Sequence, residues 1–107
     1  MALIATATLK AGIDIANCYV RIRVVDVVKK DRSDGMFYAC GEVVVYKDKA
    51  TADELGTNGA PSAVPLDTTI NGRVKAIGVN IDNNIHQQLY AKLKTDLTAA
   101  NVTWAEE

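Results

Sequence analysis

The chain contains few of the residues from which catalytic and metal sites are most often built. It has one histidine, His86, and two cysteines, Cys18 and Cys40. These three residues are too few and too widely spaced for a zinc signature. No serine or cysteine lies near His86 in the sequence for it to activate, and neither GxGxxG nor GxxxxGK occurs. We therefore expect no enzyme, no metal, no cofactor and no small-molecule substrate, and we assign His86 a structural role.

An excess of charge of one sign and long apolar runs are also lacking. The 12 Lys and Arg residues nearly balance the 13 Asp and Glu residues, so the overall field does not attract nucleic acid. No apolar run approaches the length of a membrane span, and the first residues do not form a signal peptide. The sequence predicts a soluble protein made in the cytoplasm, with no nucleic-acid or membrane partner. Its 107 residues suit a single domain, residues 1–107.

Two apolar segments predict a long β-hairpin. "CYVRIRVVDVVKK" and "MFYACGEVVVYK" flank "DRSDG", in which Asp34 and Gly35 tolerate the positive φ of a tight turn. If these two residues are the whole loop, Cys40 lies opposite Lys29, and Cys18 lies far along the neighbouring strand. A bridge needs Cα atoms within about 7 Å, so no Cys18–Cys40 disulfide is expected. A small, buried, apolar role is the default for both cysteines.

Weaker signals fill in the rest of the chain. Residues 2–9 alternate as a strand before a turn at Gly12, and "TADEL", residues 51–55, has the spacing of a helical turn. Asn71-Gly72 within "VPLDTTINGRVKAIGVNI" predicts a second hairpin. "GTNGAPSAV", residues 56–64, reads as a surface loop.

One amphipathic helix is predicted near the end, over about residues 84–97. Asn83 or Asn84 can cap its start. Its apolar stripe repeats every four residues and comprises Ile85, Leu89, Leu93 and Leu97. A sheet needs its apolar face covered, and one helix laid across it does so. The predicted class is α+β: mainly antiparallel β, with two hairpins in a sandwich-like sheet and one C-terminal helix packed on it.

The long hairpin has valines at successive positions, so both of its faces are apolar. One face meets the helix, and the other needs a second layer, supplied either by the second hairpin or by another chain. If the two-residue turn holds, one face carries the interface residues that we predict: Val25, Val27 and Val44, continued toward a polar rim by Arg21, Arg23 and Tyr46.

Three stretches resemble landmarks of small virion-associated structural proteins of tailed bacteriophages. They are "IANCYVRIRVV", "VVVYKDKA" and "NIHQQLYAKLKT"; the last contains "LYAKLKT", which is similar to an "AYxxLKT"-like helical motif. The chain departs from the pattern before the helix, where "VNIDNN" stands, and after it, where "DLTAAN" stands. The resemblance implies a β-rich body with a C-terminal helix and no catalytic residue.

Two classes of function follow. In the first, the chain is a virion building block of the tail, tail tip, baseplate or neck, which assembles with copies of itself and with other virion proteins; a capsid decoration protein is the variant of this class. In the second, it is a small intracellular binding module or accessory factor that uses the "GTNGAPSAV" loop or the basic hairpin tip at Lys29, Lys30 and Arg32. The first class implies localisation in the virion after synthesis in the host cytoplasm.

Overall fold

A computed structural model of the chain describes residues 2–29, 37–59, 64–80 and 82–107. The strands are β1 (Leu3–Thr8), β2 (Asp14–Lys29), β3 (Phe37–Tyr46), β4 (Gly72–Ile77) and β5 (Trp104–Glu106). The helices are α1 (Lys49–Ala52) and α2 (Ile85–Ala99). In the described part of the chain, no helix is long and apolar enough to span a membrane.

The strands form one open sheet in the order β4-β3-β2-β1-β5, and every neighbouring pair is antiparallel. This confirms the α+β class, with a mainly antiparallel sheet and one C-terminal helix. The sandwich-like arrangement is not confirmed, because the described residues contain a single sheet. The sheet therefore has one face toward α2, the helix face, and an opposite face, the outer face.

The second predicted hairpin is absent from the described residues. β4 begins at Gly72 and pairs with β3. Before the turn, Leu66 makes an isolated bridge to Val45 of β3, and Thr68 makes one to Leu9, just after β1. The Asn71 side chain holds this connection: its Oδ1 accepts from the Thr68 hydroxyl, and its Nδ2 donates to the Leu66 carbonyl at 2.9 Å. The hydrogen bonds of the Asn71 side chain thus take the place of strand pairing here. Asn71-Gly72 ends the connection that leads to β4 instead of forming a hairpin turn.

The long hairpin exists, but its register differs from the prediction. Cys40 lies opposite Asp26 instead of Lys29, and a bulge interrupts the ladder between Arg23 and Asp26. The predicted turn residues Asp34 and Gly35 lie outside the described residues. The described pairing begins with Lys29 opposite Phe37, whereas the prediction set Lys29 opposite Cys40. The residue inserted at the bulge shifts the register once more.

Helix α2 matches the prediction closely. The Asn84 side chain accepts from the Gln87 N–H at 3.1 Å and caps the helix, which runs two residues beyond the predicted end at residue 97. Leu89, Leu93 and Leu97 are buried, and Ile85 is half-buried against the same core. The main core lies between α2 and the helix face, where it includes Leu3, Val20, Val45 and Val74.

A second, smaller cluster lies on the outer face. The predicted turn at residues 51–55 is wrong in position: α1 begins after Asp48, whose carboxylate accepts from the Thr51 N–H at 2.7 Å. Ala52 of this short helix is buried together with Tyr19, Val44 and Tyr46. The connection after β3 thus covers one end of the outer face.

Candidate interaction surface

Two of the predicted interface residues are buried within the chain itself. Val44 and Tyr46 are only 2% and 4% exposed, and both belong to the cluster that contains Ala52 of α1. A neighbouring chain cannot reach these side chains while α1 is in place. The prediction that they form an exposed interface is therefore wrong, because a local segment covers this end of the face.

The two predicted arginines lie on the outer face and have partners in the chain. Arg21 donates to Asp53 at 2.8 Å, and its guanidinium carbon lies 5.4 Å from the centre of the Tyr19 ring. Asp53 caps the end of α1, so this pair holds α1 against the sheet. Arg23 donates to Glu42 at 3.2 Å, directly across from it on β3.

Val25 and Val27 lie on the helix face, not beside Val44. A Cβ built on Gly41 would lie 2.4 Å from Ile22 Cγ2 and 3.7 Å from Val25 Cγ2, so these side chains share that face. Val27 pairs with Ala39, which is part of the main core. The bulge after Arg23 adds one residue and so exchanges the faces of the valines that follow it. The prediction that all three valines share a face is wrong for this reason.

The uncovered part of the outer face is a second candidate surface, which we call the outer patch. It consists of three rows that cross β2, β3 and β4, and its members are Arg23, Glu42 and Arg73; Asp26, Cys40 and Lys75; and Val28, Tyr38 and Ile77. The first row is charged, the second has opposite charges on either side of a cysteine, and the third is apolar. The patch thus joins an apolar row to a charged rim, as interaction surfaces commonly do.

The apolar row leaves much hydrophobic surface in water. Val28 is 44% exposed and Ile77 is 60% exposed, while Tyr38 between them is half-buried. The ammonium of Lys75 lies 4.4 Å from the centre of the Tyr38 ring, a cation–π contact that links the apolar row to the next one. Large side chains adjacent to each other and exposed on a sheet face are typical of contact sites.

Of the residues predicted for an interface, only Arg23 belongs to the outer patch. The β4 residues were missed, although their signal is visible in "GRVKAI". Val74 and Ala76 alternate with Arg73, Lys75 and Ile77, so one face of the strand is apolar and the other ends in an isoleucine. Alternation alone could not show that Ile77 would lie beside Tyr38, since this depends on which strand pairs with β4.

A groove of about 600 Å³ opens between the C-terminal half of α2 and the sheet. Its floor is apolar, with Ile70 and Leu97, and its rim includes Asp14, which accepts from the Thr8 hydroxyl at 2.6 Å. No histidine, cysteine or lysine is found among its described lining residues.

His86 and the cysteines do not form a site together. His86 is exposed on the first turn of α2 and lines a shallow pocket with Arg21 and Tyr90. Cys18 is buried opposite Ala5, and Cys40 lies on the outer face opposite Asp26. Both cysteines are free, as predicted. Across the described ranges, no group of three His, Cys, Asp or Glu residues is arranged to hold a metal ion.

Comparisons with protein families, with curated proteins and with solved structures found no match to this chain. The outer patch is therefore defined by the geometry of this chain alone.

Proposed function

We propose that this protein is a structural subunit of a tailed-phage virion and acts through protein–protein interfaces with copies of itself and with other virion proteins. The outer patch carries the proposal, because an open sheet with one half-covered face presents an apolar row beside a charged rim. The resemblance borne by "VVVYKDKA" and "LYAKLKT" supports placement in the tail, tail tip, baseplate or neck.

The positions of the histidine and the two cysteines are compatible with this role. His86, the single histidine, is exposed at the start of α2, while Cys18 is buried in the main core at the opposite face from Cys40. The groove beside α2 is lined by carboxylates and hydroxyls, among which the Thr8 hydroxyl donates to Asp14. The protein accumulates in the virion after synthesis in the host cytoplasm under this proposal.

Two isoleucines provide a matched test of the surface. Ile77 is 60% exposed in the outer patch, and Ile13 is 62% exposed in the turn between β1 and β2, at the other end of the long strand. Ile77→Asp places a charge in the proposed interface, where it loses its hydration without gaining a partner. Ile13→Asp makes the same change at equal exposure outside it.

The measurement is mass spectrometry of purified phage particles, with circular dichroism of each isolated variant. We expect the parent chain and Ile13→Asp in particles, and Ile77→Asp folded but depleted from them. Separate tail and head fractions distinguish a tail subunit from a capsid decoration protein. Absence of the parent chain from particles refutes the proposed function, and normal incorporation of Ile77→Asp refutes the role of the outer patch.

A further inference from the structure

Charged residues of the outer patch lie on both sides of β3. In the middle row, Asp26 on β2 and Lys75 on β4 lie on opposite sides of Cys40. Adjacent strands are about 4.8 Å apart, so the two charged residues are about 10 Å from each other at the backbone. Within the described ranges neither makes an ion pair. Each therefore presents a charge that no described residue of the chain pairs with.

We propose that the partner of the outer patch is a second copy of this chain, packed face to face about a twofold axis that runs along β3. This inference rests on the proposed function and names one of its partners. Such an axis places β2 of one subunit over β4 of the other. Each row of the patch therefore faces the same row of the partner subunit, in reverse order. Asp26 then faces Lys75 of the partner subunit, and Lys75 faces the partner's Asp26.

The same twofold axis also brings the apolar rows of the two subunits together. Val28 faces Ile77 of the partner subunit, and Tyr38 faces the partner's Tyr38, so the exposed hydrophobic side chains cover one another. In the charged row the same operation sets Arg23 against Arg73 of the partner subunit and Glu42 against the partner's Glu42. Arg23 is already paired with Glu42 of its own chain, and this row lies at the end of the patch, where water screens the like charges. Apolar contact and opposite charges thus coincide in two of the three rows.

Other ways of pairing two copies are less favourable. A twofold axis running across the strands would place the apolar row against the charged one, with Arg23 over Val28 and Arg73 over Ile77 of the partner subunit, neither with an opposite charge to pair with. Edge-to-edge pairing through β4, which is an edge strand, requires residues of the same face to lie opposite each other. Two of its registers set Arg73 against Lys75 of the partner subunit, or Lys75 against itself, and like charges directly opposite are destabilising. A third register sets Lys75 against Ile77 of the partner subunit but leaves Val28 and Tyr38 uncovered.

The size of the patch predicts weak association. A standard interface involves about 20–30 residues on each side, and the nine residues of the outer patch are well short of that number. We therefore expect the isolated protein to dimerise only at high concentration, and the virion to supply further contacts. The test must accordingly capture a weakly populated dimer.

Cys40 lies at the centre of the patch and can report on the geometry. Facing sheets are about 10 Å apart, which is too far for a direct disulfide but within reach of a short bis-maleimide linker. Cys18 is fully buried, so the linker reacts at Cys40. The isolated full chain is treated with the two-carbon bis-maleimide at increasing protein concentration, and dimers are quantified on denaturing gels. The control is Cys40→Ser with Ala91→Cys, because Ala91 is exposed on α2, away from the patch.

We expect the parent chain to cross-link efficiently and the control to show only collisional cross-linking. Asp26→Lys creates like charges on both sides of the axis and should weaken dimerisation by about tenfold. Asp26→Lys combined with Lys75→Asp restores the opposite charges and should restore cross-linking. Melting curves of both variants verify that the fold is intact.

Equal cross-linking of the parent chain and the control overturns the inference, as does a combined variant that stays as weak as Asp26→Lys. The function is tested separately by the presence of the chain in particles. A chain that is found in particles but does not cross-link retains its proposed function, with another virion protein on the outer patch.

Discussion

Replacing Tyr90 with phenylalanine should lower the free energy of unfolding more than the same replacement at Tyr38. The Tyr90 hydroxyl accepts a hydrogen bond from the Ile22 N–H at 2.9 Å, and both residues are at most 4% exposed. β1 begins at Leu3, opposite Val20, two residues short of Ile22. The hydroxyl on α2 thus takes the place of a missing strand partner, and its removal leaves a buried donor unsatisfied.

The cost follows from that geometry. An unsatisfied buried donor costs about 1–3 kcal/mol of unfolding free energy. For a domain of about 100 residues, 1 kcal/mol lowers the Tm by about 4 °C, so we expect Tyr90→Phe to lower it by about 4–12 °C. The matched control is Tyr38→Phe, because the Tyr38 hydroxyl makes no hydrogen bond within the described residues and lies on the outer patch. That control should stay within about 0.5 kcal/mol of the parent.

Alkaline pH gives the same variant a second readout. Burial raises the pKa of Tyr90 above its ordinary value, and the hydrogen bond from Ile22 opposes that shift. A raised pKa contributes stability that is complete below the unfolded value of about 10 and is lost as the pH rises through the folded value. Burial also raises the pKa of Cys18, so the decline of the parent begins near pH 9, and Tyr90→Phe should decline less steeply above pH 10.

Calorimetric melts at neutral pH measure the first effect, and chemical denaturations from about pH 8 to about pH 11, the range of these titrations, measure the second. If Tyr90→Phe melts at the same temperature as Tyr38→Phe, the Tyr90 hydroxyl does not hold α2 to β2. Identical alkaline slopes for Tyr90→Phe and the parent would show that Tyr90 titrates as it does in the unfolded chain.

Four further substitutions test the packing of α2 on the sheet. Leu89→Ala should lose about 2–5 kcal/mol of unfolding free energy because Leu89 is fully buried, whereas the exposed His86→Gln should melt like the parent; the reverse order would contradict their assigned roles. Gly41→Ala should cost about 1–3 kcal/mol, because its Cβ would lie 2.4 Å from Ile22 Cγ2; an unchanged denaturation midpoint would mean that the side chain moves freely. Val25→Asp should destabilise the chain, since Val25 packs partly buried against the main core, where full burial of a valine is worth about 1.5–3 kcal/mol; a parent-like melt would place it on the surface.

Several features of the fold could be predicted because they depend on neighbouring residues in the chain. Asn84 followed by Ile85, Leu89, Leu93 and Leu97 indicated a capped helix with one apolar face, and the structure contains that helix. β-Branched runs indicated the long paired strands β2 and β3. These signals are local, since a cap satisfies its own helix and a periodic stripe needs only some apolar surface to cover.

Local sequence signals of this kind do not predict the short helices and strands. α1 has four residues and β5 has three, too few for any periodicity to appear. β5 is defined by pairing with β1, as in Ala5 opposite Trp104. α1 is held by tertiary contacts, among them the pair of Arg21 and Asp53. Elements of this length form because the rest of the fold supports them.

The face of each valine was decided by the tertiary structure alone. The sequence determined that both faces of the long hairpin would be apolar, but a bulge after Arg23 sent Val25 to the helix face while α1 covered Val44 on the outer face. Side chains alternate with a period of two, so one inserted residue exchanges the faces of all that follow it. One exposed apolar row consequently lies where β4 joins the sheet, at Val28, Tyr38 and Ile77, because only strand pairing brings these distant residues together.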